Sequence, residues 1–191
     1  MMRFAINGFG RVGRTLLRVY HSRPDAQAKL ELAAINEIAD ADTVVHLARY
    51  DSNYGRYPGC IARSGNLLAI DQFLVPLSHE SEVAALPWDS LDIDMVFECT
   101  GAFTDRATSE QHLHAGAGRV LFSHPAESDV DATIVFGIND DALGGDMHVV
   151  SAASCTTNAV VPVLDTLSQA FGIEAATITT IHSLMNDQPV L

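Results

Sequence analysis

Three features of this sequence place side chains where they could do chemistry: a cysteine, a histidine, and an acid that follows a glycine turn. Cys155, in Ser154-Cys-Thr-Thr-Asn158, falls at the expected start of a helix. There the helix dipole and the unpaired N–H groups of the first turn stabilise a thiolate and lower the thiol pKa. His182 follows 27 residues later, at the end of an expected strand. A helix leaving a sheet and a strand returning to it would set the imidazole beside the sulfur, as an activated nucleophile and its base require. Both residue types also serve structurally. A lone cysteine is often a small buried hydrophobe and a lone histidine a hydrogen-bonded core or surface residue, and spacing alone does not choose.

Gly8-Phe-Gly10-Arg-Val-Gly13 lies directly after an expected strand and directly before an expected helix. In that context the first glycine permits a sharp turn and the second lets the backbone approach a pyrophosphate. The third lets the helix pack on the strand, while the free N–H groups of the helix face the anion. A ligand-free glycine turn is the plain alternative. Glu37 follows the second expected strand. A carboxylate there accepts hydrogen bonds from both hydroxyls of an adenosine ribose and repels a 2′-phosphate, which favours NAD over NADP. A solvated acid at a strand end is the alternative.

The elements that must position these residues read as an α/β chain. Arg3–Asn7 is a short apolar strand, Arg11–Tyr20 a helix, Leu30–Ile35 a second strand, and Asp40 caps a helix carrying Val44, Val45, Leu47 and Ala48. From Cys60 to Leu77 the pattern shortens into an antiparallel insertion, with Gly65-Asn66 as a turn and Pro76 marking an edge or end. Strands are expected at Asp94–Glu98, Arg119–Ser123, Thr133–Phe136 and Val149–Ala152, with a polar helix over Thr104–Ala115 capped by Thr104. That completes a doubly wound (Rossmann) parallel sheet by about Ser151. A new unit then opens with a helix running to Phe171 and stopping at Gly172, followed by a Thr- and Ile-rich strand over Ala176–Ile181. The boundaries drawn are 1–153 for an NAD-binding domain and 154–191 for the beginning of an α+β catalytic domain.

Composition narrows the function classes. The 191 residues are 48% hydrophobic and 18% charged, enough to bury a core. Lys+Arg number 11 against 24 Asp+Glu, a formal charge of −13 with no basic cluster, so nucleic acid and anionic membranes are poor partners. No apolar run approaches the roughly 20 residues of a bilayer span, and no basic-apolar-small leader opens the chain, so a cytoplasmic protein is expected. Three widely spaced cysteines, Cys60, Cys99 and Cys155, argue against a disulfide framework and against a zinc knuckle, and no metal is expected.

Ala5-Ile-Asn-Gly-Phe-Gly-Arg-Val-Gly-Arg14, Ser151-Ala-Ala-Ser-Cys-Thr-Thr-Asn158 and Thr179-Thr-Ile-His182 resemble the phosphorylated-aldehyde dehydrogenases typified by glyceraldehyde-3-phosphate dehydrogenase. Ile35-Asn-Glu37, Phe122-Ser-His-Pro125 and Ile181-His-Ser-Leu-Met-Asn-Asp-Gln188 are more similar to the D-erythrose-4-phosphate dehydrogenase branch. The likeness spans the whole chain. It implies Cys155 as nucleophile and His182 as its base, with the Cys155 N–H serving the oxyanion. It implies the glycine turn with Arg11 and Val12 on the pyrophosphate, Glu37 on the adenosine ribose, and Thr100, Gly101 and Ser123 along the dinucleotide. Ser154, Thr156 and His182 then surround the oxygens of a sugar-phosphate aldehyde. The implied activity is NAD-dependent oxidation of D-erythrose 4-phosphate to 4-phosphoerythronate through a cysteine thioester, in pyridoxal phosphate biosynthesis, by a homotetramer.

Two departures qualify the likeness. Met185 and Asp187 stand where glyceraldehyde-3-phosphate dehydrogenases usually carry phosphate-holding threonines. Asp187 would repel phosphate, which fits resolution of the thioester by water. At His79-Glu-Ser81 relatives usually place an arginine near the adenine. Only 36 residues follow Cys155, too few for a domain of roughly 50 or more. The catalytic domain is therefore expected to be incomplete, the chain inactive by itself, and the apolar faces of its last elements exposed, giving poor solubility or compensating association. The rival readings are a phosphorylating glyceraldehyde-3-phosphate dehydrogenase and an inactive NAD-binding module.

Overall fold

Alternate residues of the first strand serve two separate cores, which is what a sheet covered on both faces requires. The computed structural model describes residues 1–182. The chain runs β1 (Met2–Asn7), α1 (Arg11–Ser22), α2 (Pro24–Gln27), β2 (Leu30–Asn36), α3 (Ala41–Arg49), β3 (Tyr50–Asp51), β4 (Gly55–Arg56), β5 (Ile61–Ser64), β6 (Leu67–Ile70) and β7 (Phe73–Ser78). It continues through β8 (Met95–Glu98), α4 (Arg106–His114), β9 (Val120–Phe122), β10 (Ala132–Thr133), β11 (Val149–Ser151) and α5 (Cys155–Phe171). Nine strands form one sheet in the order β10-β11-β9-β8-β1-β2-β7-β6-β5. Pairing is parallel from β10 through β2 to β7, and β5-β6-β7 form an antiparallel meander at one end. The expected α/β doubly wound domain is thus observed.

Phe4 and Ile6 of β1 and Leu32 and Ile35 of β2 pack with Leu17 of α1 and Val44 of α3 in one core. Ala5, Ala33, Ala34 and Val96 pack with Trp88 and Ile93 in the other. The pairing of β1 with β2 shifts between Phe4↔Leu32 and Ala5↔Ala34, leaving Ala33 as a bulge. After it Asn7 lies level with Asn36 on one side and Glu98 on the other. The sheet order reverses direction of growth between β1 and β8, so the carboxyl ends of β1, β2 and β8 border the switch point at which doubly wound folds bind ligands. Among the described residues no helix is long and apolar enough to cross a membrane.

Several local expectations are met. Asp40 caps α3 by accepting from Asp42 N–H and Thr43 N–H, and the turn between β5 and β6 holds Gly65 at a φ of +62°. Others are corrected. The cap of α4 is Asp105 rather than Thr104, because the carboxylate of Asp105 takes both Thr108 N–H (2.8 Å) and the Thr108 hydroxyl (2.9 Å). Pro76 marks neither an edge strand nor a strand end, since β7 lies between β2 and β6. Leu77 N–H bonds to Asn66 O, so the nitrogen of Pro76 faces β2, whose pairing begins only at Leu77. The strand expected over Thr133–Phe136 ends at Thr133. Val135 N–H turns to the Asn139 side chain and Phe136 stands 88% exposed.

Ala176–Ile181 is not a strand: the segment is irregular and exposed. β-Propensity is fit to a neighbouring strand rather than an autonomous backbone preference, and this segment registers with neither edge of the sheet. α5 likewise has no buried residue, and Val163 and Phe171 are 57% and 85% exposed, as its apolar side was expected to be.

Candidate active site

The glycine turn sits between β1 and α1 at the switch point. Gly8 has a φ of +87°, and a Cβ there would lie 2.5 Å from Thr100 N, so only glycine lets this turn touch the one after β8. A Cβ on Gly13 would meet Gly8 O at 2.3 Å, the close helix-to-strand approach expected of the third glycine. Gly10 is different, because a Cβ there would meet nothing within 4 Å. It caps α1 with no side-chain hydrogen bond, and the N–H groups of Arg11, Val12 and Gly13 precede the first helical bond, from Arg14 N–H to Gly10 O. Behind the turn, Arg14 donates to Phe9 O at 2.9 Å and its Nε is buried without a partner. Open space before unpaired donors at a helix N-terminus fits an anionic dinucleotide bridge.

Glu37 reaches back to this turn. Its Oε2 accepts from Phe9 N–H at 2.7 Å and its Oε1 from Ala39 N–H at 3.1 Å, leaving each oxygen a further lone pair for a ribose hydroxyl. His79, at the site of the expected arginine departure, bonds through Nδ1 to Glu37 O at 2.7 Å, and Ser81 is exposed. Thr100 and Gly101 form an exposed turn after β8, with Gly101 at a φ of +71° and Ala102 N–H held by the Thr100 hydroxyl. Ser123 directly follows β9, with its N–H on Glu98 O. Gly8, Gly10, Arg11, Val12, Gly13, Glu37, Thr100 and Gly101 thus gather at the carboxyl ends of β1, β2 and β8, where the ligand cleft of a doubly wound sheet lies, and Ser123 follows β9.

A buried polar chain beneath this cleft was not foreseen from the sequence. Trp88 Nε1 donates to His112 Nδ1 at 3.0 Å, and His112 Nε2 lies 3.1 Å from Glu98 Oε2. Asn7 donates to the same Oε2 at 2.6 Å, and Asn36 donates to Asn7 Oδ1 at 2.8 Å. Glu98 Oε1 accepts both the N–H and the hydroxyl of Thr100. Burial raises the Glu98 pKa, but these hydrogen bonds, that from His112 foremost, outweigh it and hold the carboxyl below its ordinary value. The available signal was a polar residue closing each of three apolar strands, at Asn7, Asn36 and Glu98.

The second cluster lies at the start of α5. Ser154 caps the helix, its hydroxyl accepting from Thr157 N–H at 2.9 Å. Ala153 precedes it at a φ of +61°, turning the chain out of the sheet. Cys155 is therefore the first helical residue, exposed, with its sulfur 3.3 Å from His182 Nε2. The hydrogen bond to His182 holds the thiol below its ordinary value against the opposing effect of burial, aided by the hydroxyl and N–H of Thr156. Residues 178–182 come back beside α5 as an irregular segment, and with Cys155, Thr156 and Val160 they wall a cavity of about 380 Å³. Met185 and Asp187 lie outside the described residues. The arrangement supplies a nucleophile, a proton acceptor in contact with it, and a helix N-terminus for developing negative charge.

Comparison with known families gives two matches. Residues 2–106 match the family described as glyceraldehyde 3-phosphate dehydrogenase, NAD binding domain, and residues 154–191 match glyceraldehyde 3-phosphate dehydrogenase, C-terminal domain. The first match makes the cleft at the switch point part of an NAD-binding domain, and together they point to an NAD-dependent oxidoreductase of a generally tetrameric family. More than half of the sequence lies within these matches, and the chain belongs to the glyceraldehyde 3-phosphate dehydrogenase family.

Proposed function

We propose that this chain supplies the cofactor cleft and the nucleophile of an NAD-dependent dehydrogenase that oxidises D-erythrose 4-phosphate to 4-phosphoerythronate. The observation that carries the reading is the 3.3 Å contact between Cys155 Sγ and His182 Nε2 at a helix N-terminus. Residues 1–153 serve as the cofactor domain and 154–191 open the catalytic domain.

His182 takes the Cys155 proton, and the thiolate adds to the aldehyde carbon with a C–S bond forming as the carbonyl π bond breaks. The resulting alkoxide takes that proton back from His182 to become the hydroxyl of a thiohemiacetal. The N–H groups that open α5 stabilise that oxygen while it is anionic. His182 then takes the hydroxyl proton as the carbon is oxidised. NAD, when bound, supplies the hydride acceptor. The thioester left on Cys155 is opened by water, which releases the acid and restores the thiol. Ser154 and Thr156 stand at the mouth of the same helix to hold substrate oxygens, although the Ser154 hydroxyl already caps α5. Phe122-Ser-His-Pro125 and Asp187 favour the erythrose-4-phosphate branch and hydrolysis over phosphorolysis.

NADH formation from each aldehyde, with and without inorganic phosphate, tests this. Phosphate-independent turnover of erythrose 4-phosphate, abolished by Cys155→Ser, is the expected result. Phosphate-dependent turnover of glyceraldehyde 3-phosphate would instead make it a phosphorylating enzyme, and NAD binding without turnover of either aldehyde would make it a binding module.

A further inference from the structure

The Glu98 carboxylate has no role in the chemistry above, yet it is fully buried, below its ordinary pKa, and placed at the switch point between β1 and β8. Buried carboxylates are costly unless every lone pair is used. Here the partners divide by function. Oxygen Oε2 faces inward and takes Asn7 and His112. Oxygen Oε1 faces the cleft and takes both donors of Thr100, the residue whose backbone touches Gly8.

The inward half is rigidly polarised. An indole N–H only donates, so Trp88 requires an acceptor lone pair on His112 Nδ1. The proton of His112 must then reside on Nε2 and point at Glu98. Asn7 is committed in the same sense, because its Oδ1 is occupied by Asn36, whose own Oδ1 accepts from the Ser78 hydroxyl and Glu80 N–H. Every group around Glu98 is a donor, and only an acceptor on both oxygens satisfies them.

From this geometry we propose that Glu98 is a positioning residue for the cofactor: it holds the Thr100–Ala102 turn against Gly8, so that the cleft is formed before the dinucleotide arrives. A preformed turn spares the ligand the cost of ordering it. The inference rests on NAD binding in this cleft and concerns affinity rather than turnover.

Glu98→Gln is nearly isosteric but carries an NH₂ group, which must face either Thr100 N–H or the Asn7 and His112 donors. One side of the network is broken in both orientations. The Kd for NAD, measured by calorimetry on the chain, is expected to rise about tenfold in E98Q. Trp88→Phe is the control, because it removes the far end of the same network without touching Thr100. It should lower Tm and leave the Kd within about twofold of the starting value. Amide exchange in the NAD-free wild-type chain gives a second readout that needs no variant, and the Thr100 N–H should already be protected. The proposal is overturned if E98Q loses Tm but keeps its affinity, if W88F loses affinity in proportion to its Tm, or if the Thr100 amide becomes protected only on adding NAD. If the wild-type chain takes up no NAD at all, the cofactor cleft itself is misassigned and the proposal goes with it.

Discussion

Phe9 N–H donates to Glu37 Oε2 at 2.7 Å, so the turn after β1 and the acid after β2 hold each other. Glu37 N–H is in turn fixed to Ser78 O at the end of β7. The carboxylate therefore has a set position in the cleft rather than a solvated range of positions. Glu37→Ala is expected to raise the Kd for NAD about tenfold, roughly 1.4 kcal/mol, and to narrow the preference for NAD over NADP, since the charge opposing a 2′-phosphate is gone. Calorimetric titration with both dinucleotides checks this, and unchanged discrimination would remove Glu37 from the ribose.

The glycines of the turn should separate stability from binding. Gly8→Ala forces a Cβ at a φ of +87° into Thr100 N at 2.5 Å. A cost of about 2 kcal/mol, or a Tm fall of roughly 4–8 °C, is expected. Gly10 has ordinary φ and open space, so Gly10→Ala should leave Tm unchanged and weaken NAD, whose phosphates need that space. Scanning calorimetry beside NAD titration gives both numbers, and a G10A variant that binds as tightly as the parent would contradict the anion placement.

Thiol chemistry offers a pH test. The Cys155 thiol is held below its ordinary value by His182, whereas burial pushes the Cys99 thiol up to about 12. Alkylation by iodoacetamide follows the thiolate, so the Cys155 rate should titrate with an inflection below the ordinary thiol value of about 8.5. Removing the group that stabilises the anion raises the pKa. His182→Asn should therefore move the inflection upward and slow labelling at pH 7. Mass spectrometry of the labelled peptides should find Cys99 unmodified until the chain unfolds.

Asp131 ties the sheet edge to α4. It pairs with Arg106 at 2.7 Å and accepts from His148 N–H and Val149 N–H. These bonds, that from Arg106 foremost, lower its carboxyl pKa from 3.8 to about 2. A depressed carboxylate contributes stability above its unfolded pKa and loses it as pH falls through the folded one. Asp131→Asn should cost about 1–2 kcal/mol at neutral pH, and the difference should close between about pH 4 and pH 2 in denaturant titrations.

The parts of the fold legible in the sequence were those set by local pattern. Apolar runs at 3–7 and 30–35 with a glycine turn and an amphipathic helix between them specify a βαβ unit, and Asp40 announces a helix start. The start of the last helix at Cys155 followed from the apolar stretch that runs from there to Phe171 and stops at Gly172. Non-local placement was less legible. Ala176–Ile181 has the residues of a strand but, among the described residues, no partner strand beside it, and Asp105 outcompetes Thr104 as a cap because its carboxylate serves two Thr108 groups. The Glu98 network was invisible for the same reason. Trp88, His112, Asn7 and Asn36 are scattered over 106 positions of the sequence, from 7 to 112, and only strand register and the docking of α4 bring them together.

The bulge at Ala33 shows how finely that register is set. Counting from Met2 opposite Leu30, an unbroken ladder would place Ile35 across from Asn7 and slide Asn36 beyond the end of β1. Parity would then turn the Asn36 carboxamide toward the apolar layer of Phe4 and Ile6 and set a branched hydrocarbon among hydrogen-bond donors. One surplus alanine lets two incompatible phases of the same strand coexist, greasy at its origin and amide-linked at its tip. Length in β2, as much as composition, is what aligns the cofactor end of this sheet.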